Sequence, residues 1–167
     1  MKKLILICGA NGVGKSTASK ALLAAMEKSA YIDSEYCCAI HPFEFTTETI
    51  ALFKSNIAAL MLNSFRSSSI DAVIFPYGFH GPRQQIFQGV LADLELHKIH
   101  YELCPILLEC DVEENVRRMQ NDGRETDRIE RALKNTRHLY DAYDYPRINT
   151  TNMTVAETVG AMLSIIH

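Results

Sequence analysis

The sequence lacks several features that mark particular classes of protein. It has no basic excess, because 17 Lys and Arg residues stand against 20 Asp and Glu residues, for a formal net charge of −3. A nucleic-acid partner is therefore not expected, and any attraction for phosphate must be local. No repeat, low-complexity tract or Pro/Gly/Ser-rich linker divides the 167 residues. This length and uniformity predict a single domain over residues 1–167.

A long hydrophobic run is also missing. The N-terminal apolar stretch, MKKLILIC, is far too short to span a membrane, and no signal-peptide cleavage site follows it. We therefore expect a buried first strand and no membrane partner. The five cysteines are odd in number and show no CxxC spacing. They favour reduced, buried thiols and a cytoplasmic location.

Short apolar runs alternate with longer segments of helical periodicity. The predicted strands are Lys3–Cys8, Ala30–Asp33, Ala72–Phe75, Tyr101–Glu109 and Arg147–Asn149. The predicted helices are Lys15–Lys28, Thr47–Phe65, Arg83–His97, Glu113–Gln120, a longer one carrying Ile129, Leu133 and Tyr140, and a last one opened by a capping box at Thr154. Continuous apolar strands separated by helices predict an α/β fold whose parallel sheet is covered on both faces. Ligands of such sheets bind beyond the carboxyl ends of the strands.

Residues 9–16, GANGVGKS, fit the phosphate-binding pattern GxxxxGK[ST] between a predicted strand and a predicted helix. Glycines let successive backbone N–H groups turn toward phosphate oxygens, and the helix adds the positive end of its dipole. In this pattern Lys15 reaches the β- and γ-phosphates and the Ser16 hydroxyl binds Mg²⁺. The sequence thus predicts an ATP and Mg²⁺ site made by Gly9, Ala10, Asn11, Gly12, Val13, Gly14, Lys15, Ser16 and Thr17.

Several further stretches resemble the small P-loop kinases, the group that holds shikimate kinase, gluconate kinase and the adenylate-kinase-like enzymes. YIDSE (31–35) resembles the second-strand end of the first two, and GRETDR (123–128) resembles the arginine-bearing lid. RHLYD (137–141) and RINTTNMTVAETV (147–159) resemble the last helices and the final strand. The resemblance implies a three-layer P-loop kinase fold with a five-stranded parallel sheet in the order 2-3-1-4-5. It also implies a short lid over about 119–128.

The resemblance implies roles for two acids at the end of the second strand. Asp33 would help Ser16 to organise Mg²⁺, and Glu35 would orient an acceptor hydroxyl or accept its proton. Either acid could instead cap a helix or be solvated in a loop.

The resemblance also implies roles around the nucleotide. Arg118 would stack on adenine, Arg124 would face the phosphates from the lid, and Asn152 would border the base. Together with Arg117 and Arg128 these arginines form a cationic cluster. Some of the cluster could instead only pair with Glu125, Asp127 and Glu130 on a solvated helix face.

The chain departs from these families after its third strand. The stretch VIFPYGFHGPRQQ (73–85) carries Tyr77 near where an acidic residue is usual, and neither the glycine run nor the helix arginine of shikimate kinases is present. Shikimate is therefore disfavoured as the acceptor. Candidates for the acceptor pocket, centred on about 34–67, are Glu35, His41, Phe43, Tyr77, His80, Arg83 and Arg137. Arg83 indicates an anionic group on the acceptor.

We expect an ATP-dependent phosphotransferase that moves the γ-phosphoryl group of Mg-ATP to a small-molecule hydroxyl or phosphate. One alternative is a P-loop NTPase switch, although the chain lacks both a third-strand acid and the [NT]KxD guanine motif. The other is a non-catalytic ATP-binding protein, an alternative that the missing third-strand acid favours.

Overall fold

A computed structural model describes residues 1–167. The strands are β1 (Lys2–Cys8), β2 (Ser29–Tyr31), β3 (Ala72–Pro76), β4 (Tyr101–Glu109) and β5 (Arg147–Asn149). The helices are α1 (Lys15–Ala25), α2 (Ser34–Cys37), α3 (Thr47–Arg66), α4 (Arg83–Leu96), α5 (Val112–Asn121), α6 (Thr126–Thr136) and α7 (Val155–Ile166), with a 3₁₀ turn at His138–Tyr140. No helix combines the length and the apolar character needed to cross a bilayer.

The five strands form one all-parallel sheet in the order β2-β3-β1-β4-β5. This confirms the predicted fold class and strand order. Ile5 in the central strand lies opposite Ile74 of β3 and Cys104 of β4. Because strands in this position are buried on both faces, their sequences are continuously apolar rather than alternating.

The residues of β1 divide between two cores. Leu4, Leu6 and Cys8 point to the face covered by α3 and α4, whereas Ile5 and Ile7 point to the face covered by α1 and α7. All five side chains are fully buried. The sheet is therefore the middle layer of three, and its carboxyl edge is left for loops.

Two predicted element ends are wrong, each for a local reason. The second strand ends at Tyr31 rather than Asp33, because the Asp33 carboxylate accepts a hydrogen bond from the Glu35 backbone N–H and begins the short helix α2. The first helix ends at Ala25 rather than Lys28, whose φ of 49° is left-handed.

The long helix predicted to carry Ile129, Leu133 and Tyr140 is also wrong, since α6 ends at Thr136 and a separate turn holds Tyr140. The turn lets the buried Tyr140 hydroxyl accept a hydrogen bond of 3.0 Å from the Phe79 backbone N–H. A continuous helix would satisfy its own backbone but leave that buried N–H without this partner.

Candidate active site

The loop between β1 and α1 needs glycine for two separate steric reasons. Gly9 has φ +140°, and a Cβ there would lie 2.2 Å from the carbonyl oxygen of Leu108. Gly12 has φ +83°, and its Cβ would lie 2.4 Å from Cγ of Met119. Gly14 precedes α1 and offers no side chain to cap it. The first N–H groups of α1 therefore stay free for an anion, which the helix dipole also favours.

Lys15 opens α1 and folds back over the loop. Its ammonium donates hydrogen bonds of 2.8 Å to the carbonyl oxygens of both Gly9 and Ala10. Burial lowers the pKa of Lys15 to about 8, and the positive charges of Arg124 and Arg83 act in the same direction. At neutral pH the group is still mainly charged.

The loop opens into one large polar cavity of about 1210 Å³ at the carboxyl edge of the sheet. Only 2 of its 24 lining residues are hydrophobic. Its charged lining consists of six cations and three acids: Lys15, Arg83, Arg118, Arg124, Arg128 and Arg131 against Asp33, Glu35 and Asp122. The cavity is therefore strongly attractive to anions, although the whole chain carries a net negative charge.

Ser16 and Asp33 line the same cavity, as the predicted Mg²⁺ role requires. The two oxygens of Asp33 accept hydrogen bonds from the Glu35 N–H at 2.9 Å and from the Tyr31 hydroxyl at 3.1 Å. Burial and the adjacent Asp33 raise the pKa of Tyr31 to about 12, so the phenol remains a donor. Each Asp33 oxygen keeps a free lone pair, and a hydroxyl with one carboxylate is a donor set that suits Mg²⁺ beside phosphates. Asp33 thus combines the capping role with a position suited to the metal.

Arg118 joins the loop to the segment after β5. It donates to the carbonyl oxygen of Val13 at 2.9 Å, to the Thr150 hydroxyl at 2.9 Å and to the Thr150 carbonyl oxygen at 2.7 Å, while Glu114 accepts from its Nε at 2.7 Å. The guanidinium forms the wall between the large cavity and a neighbouring one of about 280 Å³. Asn152 lines neither cavity, whereas its neighbours Thr150 and Met153 line the smaller one.

The arginines of α5, of α6 and of the segment between them separate into two groups. Arg124, Arg128 and Arg131 line the large cavity. Arg124 contacts Asp122 at 3.4 Å, and no ion pair holds the other two. Arg117 is 63% exposed and pairs with Glu114 at 2.7 Å, so it has the solvated helix position that was the alternative for part of the cluster.

Sequence reasoning missed Arg131 and Asn135, which both line the cavity. A signal for them was present, because Arg128, Arg131 and Asn135 are spaced by three and four residues and share one face of α6.

Four of the acceptor candidates meet in the large cavity, namely Glu35, Tyr77, His80 and Arg83. Burial lowers the pKa of His80 to about 4, and nearby Arg83 and Lys15 act in the same direction. The imidazole is therefore neutral at pH 7. His41 and Phe43 do not line the cavity.

Arg137 does not line the cavity either. Its guanidinium donates to the carbonyl oxygen of Cys110 at 2.9 Å and to Oδ1 of the fully buried Asn115 at 3.1 Å. The Nδ2 of Asn115 in turn donates to the carbonyl oxygen of Asn11 at 2.9 Å. The Asn11 N–H donates to the Thr136 hydroxyl at 3.1 Å. These contacts fix the phosphate-binding loop from behind, and two of the residues that make them, Asn115 and Thr136, were indicated by no sequence pattern.

Comparisons with known proteins agree with this geometry. A family model described as "AAA domain" matches residues 5–138. No curated protein gives a significant match.

Similar solved structures cover nearly the whole chain at low identity. A gluconokinase from Sinorhizobium meliloti 1021 is 13% identical with a TM-score of 0.67, covering 98% of this chain and 91% of its own. The tunicamycin resistance protein of Deinococcus radiodurans is 16% identical with a TM-score of 0.69, covering 99% and 96%. A sugar kinase from Janibacter sp. HTCC2649 is 12% identical with a TM-score of 0.62, covering 99% and 95%. The chain belongs to the AAA domain family, and its fold is that of the small P-loop kinases of the shikimate and gluconate kinase-like group.

Proposed function

We propose that the protein transfers the γ-phosphoryl group of Mg-ATP to a small molecule that carries a hydroxyl or phosphate acceptor. The observation that carries this proposal is the single cavity that brings together the phosphate-binding loop, the lid arginines and two acids at the start of α2, Asp33 and Glu35. Phosphoryl transfer needs positioning and charge neutralisation more than covalent help, and this cavity is built for both.

Each residue has a role in this proposal. Lys15 neutralises charge on the transferred group, and Arg124 does so from the lid side. Ser16 and Asp33 would hold Mg²⁺, which when bound screens the phosphate oxygens. Glu35 orients the acceptor hydroxyl or accepts its proton.

The size of the cavity and the residues that line it favour a kinase over a hydrolytic switch. A cavity of about 1210 Å³ has room for the nucleotide phosphates together with a second small molecule. The aromatic and cationic residues Tyr77, His80 and Arg83 line the part that the nucleotide motif does not account for.

ADP release from Mg-ATP, measured with and without a panel of small acceptors, tests the proposal. The panel holds nucleosides, nucleoside monophosphates, sugar acids and neutral sugar alcohols. A kinase releases ADP much faster with its acceptor than without it. Equal release in both cases would indicate an NTPase, and tight ATP binding with no release would indicate a non-catalytic binder.

Glu35→Gln tests the acceptor side of the same site. The amide keeps the shape but cannot accept the proton as a base, so acceptor-dependent release should fall by roughly 10²-fold or more. ATP affinity should stay close to that of the wild type. Unchanged acceptor-dependent turnover in this variant would remove Glu35 from the proposal.

A further inference from the structure

The hydroxyl of Tyr77 is a buried hydrogen-bond donor without a protein partner. Tyr77 directly follows β3 and is only 1% exposed, yet its hydroxyl finds no hydrogen-bond acceptor in the protein, and the polar group beside it is the guanidinium of Arg83, itself a donor. The backbone N–H of Tyr77 donates to the carbonyl oxygen of Ile7 at 2.9 Å, which fixes the residue at the end of the sheet. Rings of Phe75, Phe79 and Phe87 surround it at centroid distances of 4.9, 6.3 and 5.9 Å. Burial raises the pKa of Tyr77, so the phenol keeps its proton.

Arg83 brings a second unpartnered donor to the same place. Its guanidinium carbon lies 5.6 Å from the centroid of the Tyr77 ring, and its Nε is buried without a hydrogen-bond partner. No carboxylate forms an ion pair with it, whereas Arg118 and Arg124 each have one. Buried polar atoms without a partner are rare in folded proteins. The third such atom in this chain, Oγ of Ser19, lies in α1 and does not line the cavity.

No acidic side chain forms an ion pair with Arg83. His80, the nearest titratable neighbour along the loop, is neutral at pH 7. The acids of the cavity are Asp33 just before α2, Glu35 in α2 and Asp122 in the lid, and Asp122 pairs with Arg124 rather than with Arg83. Two convergent donors, one of them permanently charged, suit an oxygen of a carboxylate or phosphate.

We propose that Tyr77 and Arg83 form a subsite for an anionic group of the acceptor, so that the acceptor is a carboxylate- or phosphate-bearing small molecule rather than a neutral alcohol. An oxygen of that group accepts hydrogen bonds from the Tyr77 hydroxyl and from the Arg83 guanidinium. Naming the occupant as the acceptor rests on the proposed function. The anion subsite itself rests on the contacts of the two side chains.

Binding of inorganic phosphate tests the subsite without any turnover. A non-hydrolysable ATP analogue with Mg²⁺ first fills the nucleotide site, and phosphate is then added at constant ionic strength while the melting temperature is recorded. The wild type should show a saturable rise. Arg83→Gln should lose it, and Tyr77→Phe should weaken the apparent affinity by roughly 10-fold or more, the effect of a hydrogen bond to a charged group.

Tyr77→Phe has a second readout that a purely structural hydroxyl would not produce. Because the substitution removes a buried donor that has no protein acceptor, the free protein should melt about 2–4 °C higher, or at least no lower. Tyr101→Phe is the matched control, since Tyr101 stacks on Phe65 at the other end of the sheet. Its phosphate response should equal that of the wild type.

The outcomes separate the subsite from the reaction. No phosphate response in the wild type, or the same response in the wild type, Arg83→Gln and Tyr77→Phe, overturns the subsite. The ADP-release assay then compares each anionic acceptor with a neutral counterpart. Gluconate against glucitol tests for a carboxylate, and nucleoside monophosphates against nucleosides test for a phosphate. A preference for the neutral member overturns the subsite and leaves the kinase proposal standing. A Tyr77- and Arg83-dependent phosphate response with no acceptor-stimulated release supports the subsite and contradicts the kinase proposal.

Discussion

Replacing Asn115 by alanine should both destabilise the protein and weaken ATP binding. The Asn115 side chain is fully buried and bridges two groups, the Asn11 carbonyl oxygen at 2.9 Å and the Arg137 guanidinium at 3.1 Å. Alanine leaves both groups without this partner. A buried neutral hydrogen bond contributes about 1 kcal/mol and one to a charged group about 1.5–3 kcal/mol. We therefore expect the free energy of unfolding to fall by about 2–4 kcal/mol.

Urea denaturation followed by circular dichroism measures this change, with Gln120→Ala as the control on the same helix. Gln120 is exposed, so its variant should stay within about 0.5 kcal/mol of the wild type. Asn115→Asp separates the effects of the two hydrogen bonds, because a carboxylate still accepts from Arg137 but cannot donate to the carbonyl oxygen of Asn11. It should lose roughly tenfold in ATP affinity while losing less stability than Asn115→Ala.

Asn115→Ala with wild-type stability and wild-type ATP affinity would refute this reasoning. The same experiment distinguishes two roles for Arg137. A role in supporting the loop predicts that Arg137→Ala lowers stability and ATP affinity together. A selective rise in the KM of the acceptor, with stability unchanged, would instead place Arg137 in acceptor binding.

Two further predictions concern pH and the glycines. Folding lowers the pKa of His80 from 6.5 to about 4. Between these pH values the unfolded chain binds more protons than the folded one. The free energy of unfolding should therefore fall as the pH drops from about 6.5 to about 4. Urea titrations at pH 7 and 4.5 measure this loss of unfolding free energy, which should be smaller for His80→Gln than for His97→Gln. Equal losses in the two variants would contradict the burial of a neutral imidazole. Gly12→Ala should abolish ATP binding in calorimetry, because the added Cβ would meet Met119. Gly160→Ala is the control, since a Cβ there meets nothing within 4 Å. It should leave ATP binding intact and raise the free energy of unfolding by about 0.5–1 kcal/mol.

The sheet could be predicted from sequence because its strands differ so clearly from the segments between them. The run at β1 is apolar at every buried position and ends in glycines that form a known loop, so both its type and its place in the fold follow. The order of the strands came from the resemblance rather than from the runs themselves. Helix ends were harder, since the left-handed φ of Lys28 and the cap that Asp33 provides for α2 are local conformations that the residue types alone do not fix.

Some residues of the candidate site could be predicted from the sequence and others could not. Residues fixed by a continuous motif, such as Lys15 and Ser16, were predicted directly. Residues brought in by folding were not, because the link from Asn115 to Asn11 spans 104 positions in the chain and has no local pattern. Arg137 matched a short stretch of a known family, yet its guanidinium contacts the backbone of Cys110 instead of the cavity. A short match gives a position in the chain but not the direction of a side chain.

The fate of the γ-phosphoryl group of labelled Mg-ATP distinguishes transfer to an acceptor from hydrolysis. The purified protein is incubated with the acceptor panel, and label in the acceptor is separated from label in inorganic phosphate, with Lys15→Ala alongside. We expect transfer to one class of acceptor, at a rate that falls by roughly 10²–10³-fold in Lys15→Ala. Label that goes only to inorganic phosphate, or transfer that persists undiminished in Lys15→Ala, would contradict the proposed function.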